Sequence, residues 1–510
     1  MRAVVAGRRI ETWQAGVGAL VGVKLVLLLA VAGRWGYHRD EPYYVLGGRH
    51  LHWGYVDHPP LTPALARVAT TVFGDSLAGL RVLPALVGAA VIVVAASTAR
   101  LLSKSDAPSP PAGSGRPMVL AALAALSCPL LLATSHWFQT VPFDQLLGAL
   151  AVLVWLRLLT PGADPRWWAV LGLVIGVGLE NKWTMLLVAA AVAIGSLSSP
   201  AVRAQLRRPW PWVGGALAAG LWLPNLLWQV DHGWPTLDFI RENSAAERDD
   251  GGPLGFVVLQ LPLLGVPLLV LGGAGLVWCW RRETWRPAAV GVGTILLALT
   301  LLGAKPYYHG PFLPLLFGSG AIAADAWVAG SRRRLVTVVA WIGVWGLVSV
   351  PITLPVLSPA TAADVGIFDA NEELAEELGW PELVDQVAAV RHGLPSDERE
   401  ESRVLTRSYG EAAAVELLGP GRGIPEGTAL SGQNSYADWW PDGEPAATAT
   451  VIAVRFRPTT LAPYFDSCEV VDHLRNDAGV ENETAGSPVL ICRGLTVTPD
   501  ALRAALRFTR

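Results

Sequence analysis

About eleven apolar stretches, most of them close to 20 residues long, constrain this chain more than any other feature of its sequence. A helix needs about 20 mostly apolar residues to cross the hydrocarbon core of a bilayer. The sequence therefore predicts a polytopic α-helical membrane protein with about eleven transmembrane helices, and counts of ten or twelve stay open. The predicted spans lie near 13–33, 81–101, 117–135, 142–160, 167–180, 183–200, 210–230, 254–280, 287–303, 307–329 and 335–356.

The composition agrees with a membrane protein. Hydrophobic residues make up 52% of the 510 residues and charged residues only 16%, whereas soluble domains carry roughly 25% charged residues. These values exclude a disordered chain and a disulfide-dense secreted scaffold. The net charge of −3 argues against a nucleic-acid-binding protein, because such proteins are strongly basic.

Charge is distributed unevenly along the chain, and this predicts two domains. Residues 1–357 hold 27 Lys and Arg against 17 Asp and Glu, whereas residues 358–510 hold 12 against 25. The first part is the predicted membrane domain. The acidic second part is long enough to bury its own core, and strands near 404–409, 450–456 and 488–492 with intervening helices predict a soluble α/β domain.

The basic residues also predict an orientation. With the N-terminus in the cytoplasm, 17 of the 27 basic residues of the membrane domain fall in inner segments, and every inner segment has some. This distribution follows the positive-inside rule. An odd number of spans then places the C-terminal domain outside, where Cys468 and Cys492 are able to form a disulfide. The two long outer loops are predicted at about 34–80 and 231–253.

The first outer loop is rich in acids, histidines and aromatic residues. It contains Asp40-Glu41 and, further along, Asp57-His58 followed by two prolines. Carboxylates and imidazoles at a membrane surface are suited to proton transfer. The alternative is a solvated loop with an ordinary aromatic belt. The adjacent acids and the rigid His58-Pro59-Pro60 segment favour a functional site.

This loop resembles the first periplasmic loop of the polyprenyl-phosphate-sugar glycosyltransferases, the GT-C membrane enzymes that include bacterial protein O-mannosyltransferases and the lipid A aminoarabinose transferase. The resemblance rests first on Asp40-Glu41-Pro42-Tyr43-Tyr44 and on residues 54–61. Further similar segments follow in order, and the resemblance covers most of residues 1–360. They are Phe143-Asp144, residues 176–182, Leu223-Pro224-Asn225, Gly233-Trp234-Pro235 and Lys305-Pro306-Tyr307-Tyr308.

The resemblance implies a GT-C fold and a sugar transferase in a bacterial plasma membrane. The donor would be a sugar such as mannose or arabinose on a polyprenyl phosphate. The acceptor would be an extracytoplasmic protein, lipid or cell-wall glycan, and transfer would proceed with inversion. No cofactor is required by this chemistry. A divalent cation such as Mg²⁺ or Mn²⁺ stays open, because no strict spacing of metal ligands is present.

The resemblance also implies roles for individual residues. Asp40 corresponds to the base, and Glu41 is its partner or a metal or acceptor contact. Asp144 and Asp57 are expected to act as a second acid or to contact the acceptor. The groups expected at the donor phosphate, where charge-assisted hydrogen bonds stabilise the leaving group, are Lys182, Lys305, His58, Arg81 and Tyr308.

Structural alternatives exist for several of these residues. Asp144 is able to cap a helix, and Lys182 and Lys305 are able to extend from span ends towards the interface. The turn-rich segment 431–443 either contacts sugar or packs on the membrane domain. At the level of the whole protein, the alternatives are a secondary transporter and a membrane assembly protein without activity.

Overall fold

The computed structural model describes residues 4–5, 8–9, 12–104, 115–249 and 251–509. From residue 12 to residue 353 the described chain is helical, and a mixed sheet follows in the C-terminal part. A short antiparallel pair, β1 (Val4–Val5) and β2 (Arg8–Arg9), precedes the first helix. The polytopic helical fold with a C-terminal α/β domain is therefore confirmed.

The helical part consists of seventeen α-helices within the described residues. They are α1 (Thr12–Val31), α2 (Glu41–Arg49), α3 (Leu61–Phe73), α4 (Leu77–Leu80), α5 (Val82–Lys104), α6 (Arg116–Leu126), α7 (Pro129–Ala133), α8 (Thr140–Leu159), α9 (Trp167–Leu179), α10 (Met185–Ser198), α11 (Pro200–Gln205), α12 (Pro209–Asp231), α13 (Pro235–Asp249), α14 (Gly252–Trp280), α15 (Arg286–Leu302), α16 (Leu313–Val328) and α17 (Arg332–Thr353).

Apolar helices occupy all eleven predicted stretches, but the number of spans stays a prediction. Six segments of the described chain are long and apolar enough to cross a bilayer, and several of the other apolar helices have only 10–17 residues. The third stretch is split into α6 and α7 ahead of Pro129, since proline cannot continue the hydrogen-bonded ladder of a helix. The six long segments are Thr12–Val31, Leu77–Lys104, Thr140–Leu159, Gly252–Trp280, Gly310–Val328 and Arg332–Thr353.

The C-terminal part is built on a five-stranded sheet with the order β4-β3-β5-β7-β6. Strand β3 runs parallel to β4 and β5, and β7 runs antiparallel to β5 and β6. The strands are β3 (Arg403–Thr406), β4 (Ala429–Ser431), β5 (Val451–Val454), β6 (Phe465–His473) and β7 (Pro488–Leu495). The helices are α18 (Pro359–Asp364), α19 (Ile367–Ala370), α20 (Trp380–His392), α21 (Ser396–Glu401), α22 (Tyr409–Leu418), α23 (Pro458–Leu461) and α24 (Pro499–Leu506).

Strands β3, β5 and β7 correspond to the three predicted strands, whereas the edge strands β4 and β6 were missed. Strand β4 has only three residues, and β6 is largely exposed, so neither carries a clear apolar pattern. Cys468 on β6 and Cys492 on β7 are directly paired in register and form a disulfide. The cross-link that the sequence left open is therefore present at the edge of the sheet.

The first loop of the helical part is packed into the C-terminal domain. Helix α2 lies against α22, and Tyr43 and Leu46 of α2 belong to the same buried cluster as Trp380, Val384 and Val415. The loop that carries the acidic pair therefore forms part of the core of the C-terminal domain. This packing fixes the position of the acidic pair relative to both domains.

Candidate active site

A cavity of about 1080 Å³ lies between the helical part and the C-terminal domain. The helical part contributes Asp40 and Asp57 from the first loop, the beginning of α8, residues around Lys182 and Lys305, and one face of α13. The C-terminal domain contributes residues 407–410, Gln433, Asn434, Arg455 and Glu483. Charged groups of both signs therefore line one space at the junction of the domains.

Asp40, the residue immediately before helix α2, lines this cavity. Its carboxylate makes no capping hydrogen bond to α2, and the side chain is 22% exposed. The hydroxyl of Tyr409 donates a hydrogen bond of 2.8 Å to Asp40 Oδ1. Burial raises the pKa of Tyr409 well above its usual value, and the charges of Asp40 and Asp57 add to this effect. Tyr409 therefore keeps its proton and holds the carboxylate in one orientation.

Asp57 is linked to Asp40 through two stacked tyrosine rings. The hydroxyl of Tyr43 donates a hydrogen bond of 2.9 Å to Asp57 Oδ1, and the ring centroids of Tyr43 and Tyr409 are 4.3 Å apart. Asp57 Oδ2 accepts a hydrogen bond of 3.3 Å from the amide of Asn434. The two acids therefore lie in the same wall of the cavity, held by residues from both domains.

Glu41 is not in the wall of the cavity. It is fully buried, and its carboxylate accepts hydrogen bonds from Arg81 and from the backbone N–H groups of His38 and Phe138. The shortest Arg81–Glu41 distance is 2.7 Å, from Nη2 to Oε2. Arg81 also contacts Glu377 of the C-terminal domain, with 3.2 Å between Nη1 and Oε2. Glu41 was expected to be the partner of Asp40 or a metal or acceptor contact, and Arg81 was expected at the donor phosphate. In the structure, the two residues instead form an internal ion-pair network between the domains.

Two of the cations expected at the donor phosphate line the cavity. Lys182 Nζ lies 5.0 Å and 5.5 Å from the ring centroids of Tyr307 and Tyr308, which is the range of cation–π contact. Lys305, Tyr307 and Tyr308 line the same cavity. Asp144 lies just behind this region, where its Oδ1 accepts a hydrogen bond of 2.9 Å from the Thr184 hydroxyl. The structure therefore places Lys182, Lys305 and Tyr308 together.

His58 is packed among aromatic side chains beside the cavity. It is 3% exposed, and its ring lies 4.6 Å from the ring of Tyr55 and 5.1 Å from that of Tyr44. Its Nδ1 is hydrogen-bonded to the carbonyl of Pro59, and its Nε2 is 3.7 Å from Asp57 Oδ1. His58 therefore packs beside Asp57. This position differs from the one expected for it at the donor phosphate.

His38 connects Asp40 to the C-terminal domain. Its Nε2 is 3.0 Å from Glu373 Oε2, and its Nδ1 is 4.0 Å from Asp40 Oδ2. Burial lowers the pKa of His38, but the hydrogen bond to Glu373 and the charges of Asp40 and Glu373 outweigh burial, so the pKa is raised. Burial raises the pKa of Glu373, but the hydrogen bond from His38 and the charge of Arg39 hold it at about 2. The carboxylates on both sides therefore favour a protonated His38.

Each residue of the C-terminal segment Tyr409-Gly410-Glu411 helps to form the cavity wall or to hold it in place. A Cβ on Gly410 would lie 2.7 Å from the carbonyl oxygen of Arg39, so only glycine allows this close approach of α22 to the first loop. Glu411 closes a capping box with Ser408 and pairs with the Arg455 side chain at 2.6 Å. These residues were not predicted as site residues, because their positions depend on domain packing.

Comparisons with known proteins agree with the resemblance seen in the sequence. The sequence model of the dolichyl-phosphate-mannose-protein mannosyltransferase family matches residues 57–228. The crystal structure of ArnT from Cupriavidus metallidurans bound to undecaprenyl phosphate is similar, with 17% identity and a TM-score of 0.58, over 94% of this chain and 98% of that chain. The apo structure of the same protein gives 16% identity and a TM-score of 0.58, over 94% and 97%. No curated protein sequence matches the chain significantly.

The chain therefore has the membrane fold of ArnT. The likeness to ArnT establishes the fold, and the family match extends through the segment that contains Asp57, Asp144 and Lys182. Both findings favour the glycosyltransferase interpretation over the transporter interpretation. No group of three or more His, Cys, Asp or Glu side chains suited to a metal ion occurs in the described part of the chain.

Tyr409→Phe is expected to lower the rate of sugar transfer about 10- to 100-fold without lowering the thermal stability of the protein. The substitution removes the hydroxyl that orients Asp40 and keeps the ring that stacks on Tyr43. Loss of one hydrogen bond to a charged group corresponds to ~1.5–3 kcal/mol. Steady-state kinetics with a lipid-linked sugar should show the decrease in kcat rather than in the KM of the donor. Tyr436→Phe, at a buried tyrosine of the same domain, is the matched control, and equal effects of the two would contradict the orienting role.

Proposed function

We propose that this enzyme transfers a sugar, with inversion, from a polyprenyl-phosphate donor to the hydroxyl of an extracytoplasmic acceptor. The observation that carries the proposal is the presence of an oriented carboxylate, Asp40, and two lysines, Lys182 and Lys305, in the wall of one cavity. A base is needed on the acceptor side of the anomeric carbon, and cations are needed at the departing phosphate. The cavity offers both.

In the proposed reaction, the acceptor oxygen attacks the anomeric carbon from the side opposite the phosphate. Asp40 takes the hydroxyl proton as the new carbon–oxygen bond forms, a role that contributes roughly 10²–10⁴-fold when the base is well placed. The bond between the anomeric carbon and the phosphate oxygen breaks, and the polyprenyl phosphate leaves with the bonding electrons. The leaving group is already an anion at neutral pH, so it needs cations rather than a second acid.

Lys182 and Lys305 are proposed to hold this phosphate, with Tyr308 beside them. Positive charge in a site of low dielectric constant stabilises the charge that develops on the leaving group. The helices that flank these residues, α10, α15 and α16, are apolar. Apolar surroundings suit a donor with a long lipid tail. The ArnT structure with bound undecaprenyl phosphate supports this class of donor.

The assay compares candidate sugars and acceptors. Mannose is the first sugar to test, because the matching family model is named for a mannose donor, and arabinose is the second. The acceptor class at this stage includes protein, lipid and cell-wall glycan. We place the enzyme in a bacterial plasma membrane as a multi-pass protein, with its N-terminus in the cytoplasm and its C-terminal domain outside.

The function is tested by supplying the purified enzyme with polyprenyl-phosphate mannose or polyprenyl-phosphate arabinose together with candidate acceptors. Release of polyprenyl phosphate coupled to a glycosylated product is the expected result, and the product should have inverted anomeric configuration. We expect the reaction to continue in the presence of EDTA, since no cofactor is proposed. Absence of turnover with every lipid-linked sugar would contradict the proposal.

Lys182→Ala is expected to raise the KM for the donor and lower kcat, with a combined loss in kcat/KM of about 100-fold. Removing one preorganised charge-stabilising group typically costs about 10²–10³-fold in rate. The measurement is steady-state kinetics at varied donor concentration, together with binding of undecaprenyl phosphate alone. Arg281→Ala, at an exposed position after α14, is the control. Wild-type donor kinetics in Lys182→Ala would remove this lysine from the donor site.

A further inference from the structure

Asn434 has an unusual conformation in the cavity wall. Its backbone φ is 48°, in the left-handed region that glycine favours and asparagine tolerates better than most other residues. The residue is 1% exposed and lines the cavity. A polar side chain is therefore held, at a cost in backbone conformation, in a buried position next to the proposed reaction site.

The hydrogen bonds of Asn434 determine which way its amide points. Asn434 Nδ2 donates to Asp57 Oδ2 at 3.3 Å. An ionised carboxylate only accepts hydrogen bonds, so the amide nitrogen belongs on the Asp57 side and Oδ1 on the other. Among the described residues, Asn434 Oδ1 has no hydrogen-bond partner. Buried polar atoms nearly always have one, so a donor from outside the chain is expected at this oxygen.

The contacts that join Asn434 and Asp57 to Asp40 indicate what kind of molecule supplies the donor. Asp40 is held by Tyr409, Asp57 is held by Tyr43, and the two rings are stacked. The Asp57–Asn434 pair is therefore separated from the base only by a pair of aromatic rings. A carbohydrate ring is of this size and carries several hydroxyl groups, so one hydroxyl can reach Asp40 while another donates to Asn434.

We infer that Asn434 and Asp57 form a carbohydrate-acceptor subsite, in which Asn434 Oδ1 accepts a hydrogen bond from a second hydroxyl of the acceptor sugar. The inference rests on the proposed function and adds the class of acceptor to it. Asn434 is then a specificity-determining residue supplied by the C-terminal domain. A serine or threonine side chain of a protein acceptor has a single hydroxyl, so the hydroxyl that Asp40 deprotonates cannot also donate to Asn434 Oδ1.

Two substitutions separate the side chain from the backbone. Asn434→Gly removes the amide and relieves the left-handed backbone, so the fold is expected to be retained. Asn434→Asp also tolerates this backbone conformation, but it replaces the donor to Asp57 with a second carboxylate. Both variants are expected to lose acceptor binding for different chemical reasons. Thermal unfolding of each variant checks that the domain junction is intact.

The probe acceptors are methyl α-D-mannopyranoside, methyl α-D-glucopyranoside and their monodeoxy derivatives, with a serine- and threonine-containing peptide as the alternative acceptor. A site that hydrogen-bonds a substrate hydroxyl rejects the analogue that lacks it. We expect the wild-type enzyme to discriminate about 100-fold in kcat/KM against one deoxy position. We expect Asn434→Gly to raise the acceptor KM at least tenfold and to lose that discrimination.

Binding of undecaprenyl phosphate alone is measured in parallel for both Asn434 variants, because it reports on the donor site separately from the acceptor site. A wild-type acceptor KM and unchanged deoxy discrimination in either variant would overturn the subsite. Transfer to the peptide but to none of the glycosides would overturn it as well. A wild-type enzyme that transfers sugar to neither the glycosides nor the peptide would instead refute the proposed function, whereas transfer to the peptide alone overturns only the subsite.

Discussion

Asp40→Asn is expected to reduce sugar transfer by about 10²–10⁴-fold while leaving the fold unchanged. Asparagine has the shape of aspartate, and its amide oxygen can still accept the hydrogen bond from Tyr409. It cannot take the proton of the acceptor hydroxyl, so the contribution of general base catalysis is lost. The measurement is the rate of transfer under saturating donor and acceptor, which isolates the chemical step from binding.

The matched control for Asp40→Asn is Asp75→Asn. Asp75 lies in the same first loop, but its side chain is 73% exposed and pairs with Arg49 on the surface. Both variants remove one negative charge, so a general effect of charge would appear in both. Binding of undecaprenyl phosphate should be retained in Asp40→Asn. Transfer at the wild-type rate in this variant would refute the assignment of Asp40 as the base.

Arg81→Met is expected to destabilise the junction between the two domains by ~3–5 kcal/mol, the range for breaking a buried ion pair by removing one partner. Arg81 is 1% exposed and lies between Glu41 and Glu377. Its removal leaves two buried carboxylates without their cation. The expected result is a large decrease in the thermal unfolding midpoint, together with faster proteolysis between α17 and the C-terminal sheet.

The double variant Glu41→Gln with Arg81→Met tests whether the loss comes from the unpaired charge. Neutralising Glu41 removes one of the two buried charges that Arg81→Met leaves behind, so part of the stability should return. A midpoint that falls further in the double variant would contradict this explanation. Acid supplies an independent check, because burial raises the pKa of Glu377 but the charge of Arg81 and the contacts of His136 hold it at about 2. The stabilisation from Glu377 is thus complete above its ordinary pKa of 4.5 and is lost as the pH falls towards 2.

The helices of the membrane domain and the acids of the first loop could be predicted because each depends on a local pattern. The apolar runs become helices at all eleven predicted stretches. Asp40, Asp57, Lys182, Lys305 and Tyr308 all line one cavity. The family resemblance aligned them in order along the chain, although their proximity arises only when the helices pack.

The prediction was less successful where a charged residue has a partner far away in the sequence. Glu41 is adjacent to Asp40, yet helix geometry turns it away from the cavity and towards Arg81. Nothing local distinguishes the two acids, because the distinction depends on Arg81 and on Glu377, which is 296 residues further along. The roles of Tyr409 and Asn434 were missed for the same reason.

The sequence by itself determined that the chain is a helical membrane protein with an acidic α/β domain, because apolar run length and charge distribution are local properties with a direct physical meaning in a bilayer. The residues of the first loop also predicted the class of enzyme, through their resemblance to the polyprenyl-phosphate-sugar glycosyltransferases. Only the tertiary structure decided which acid faces the cavity and which one is buried with an arginine. It also decided that the C-terminal domain supplies Tyr409 and Asn434 to the site, since contacts between domains arise from packing and not from spacing along the chain.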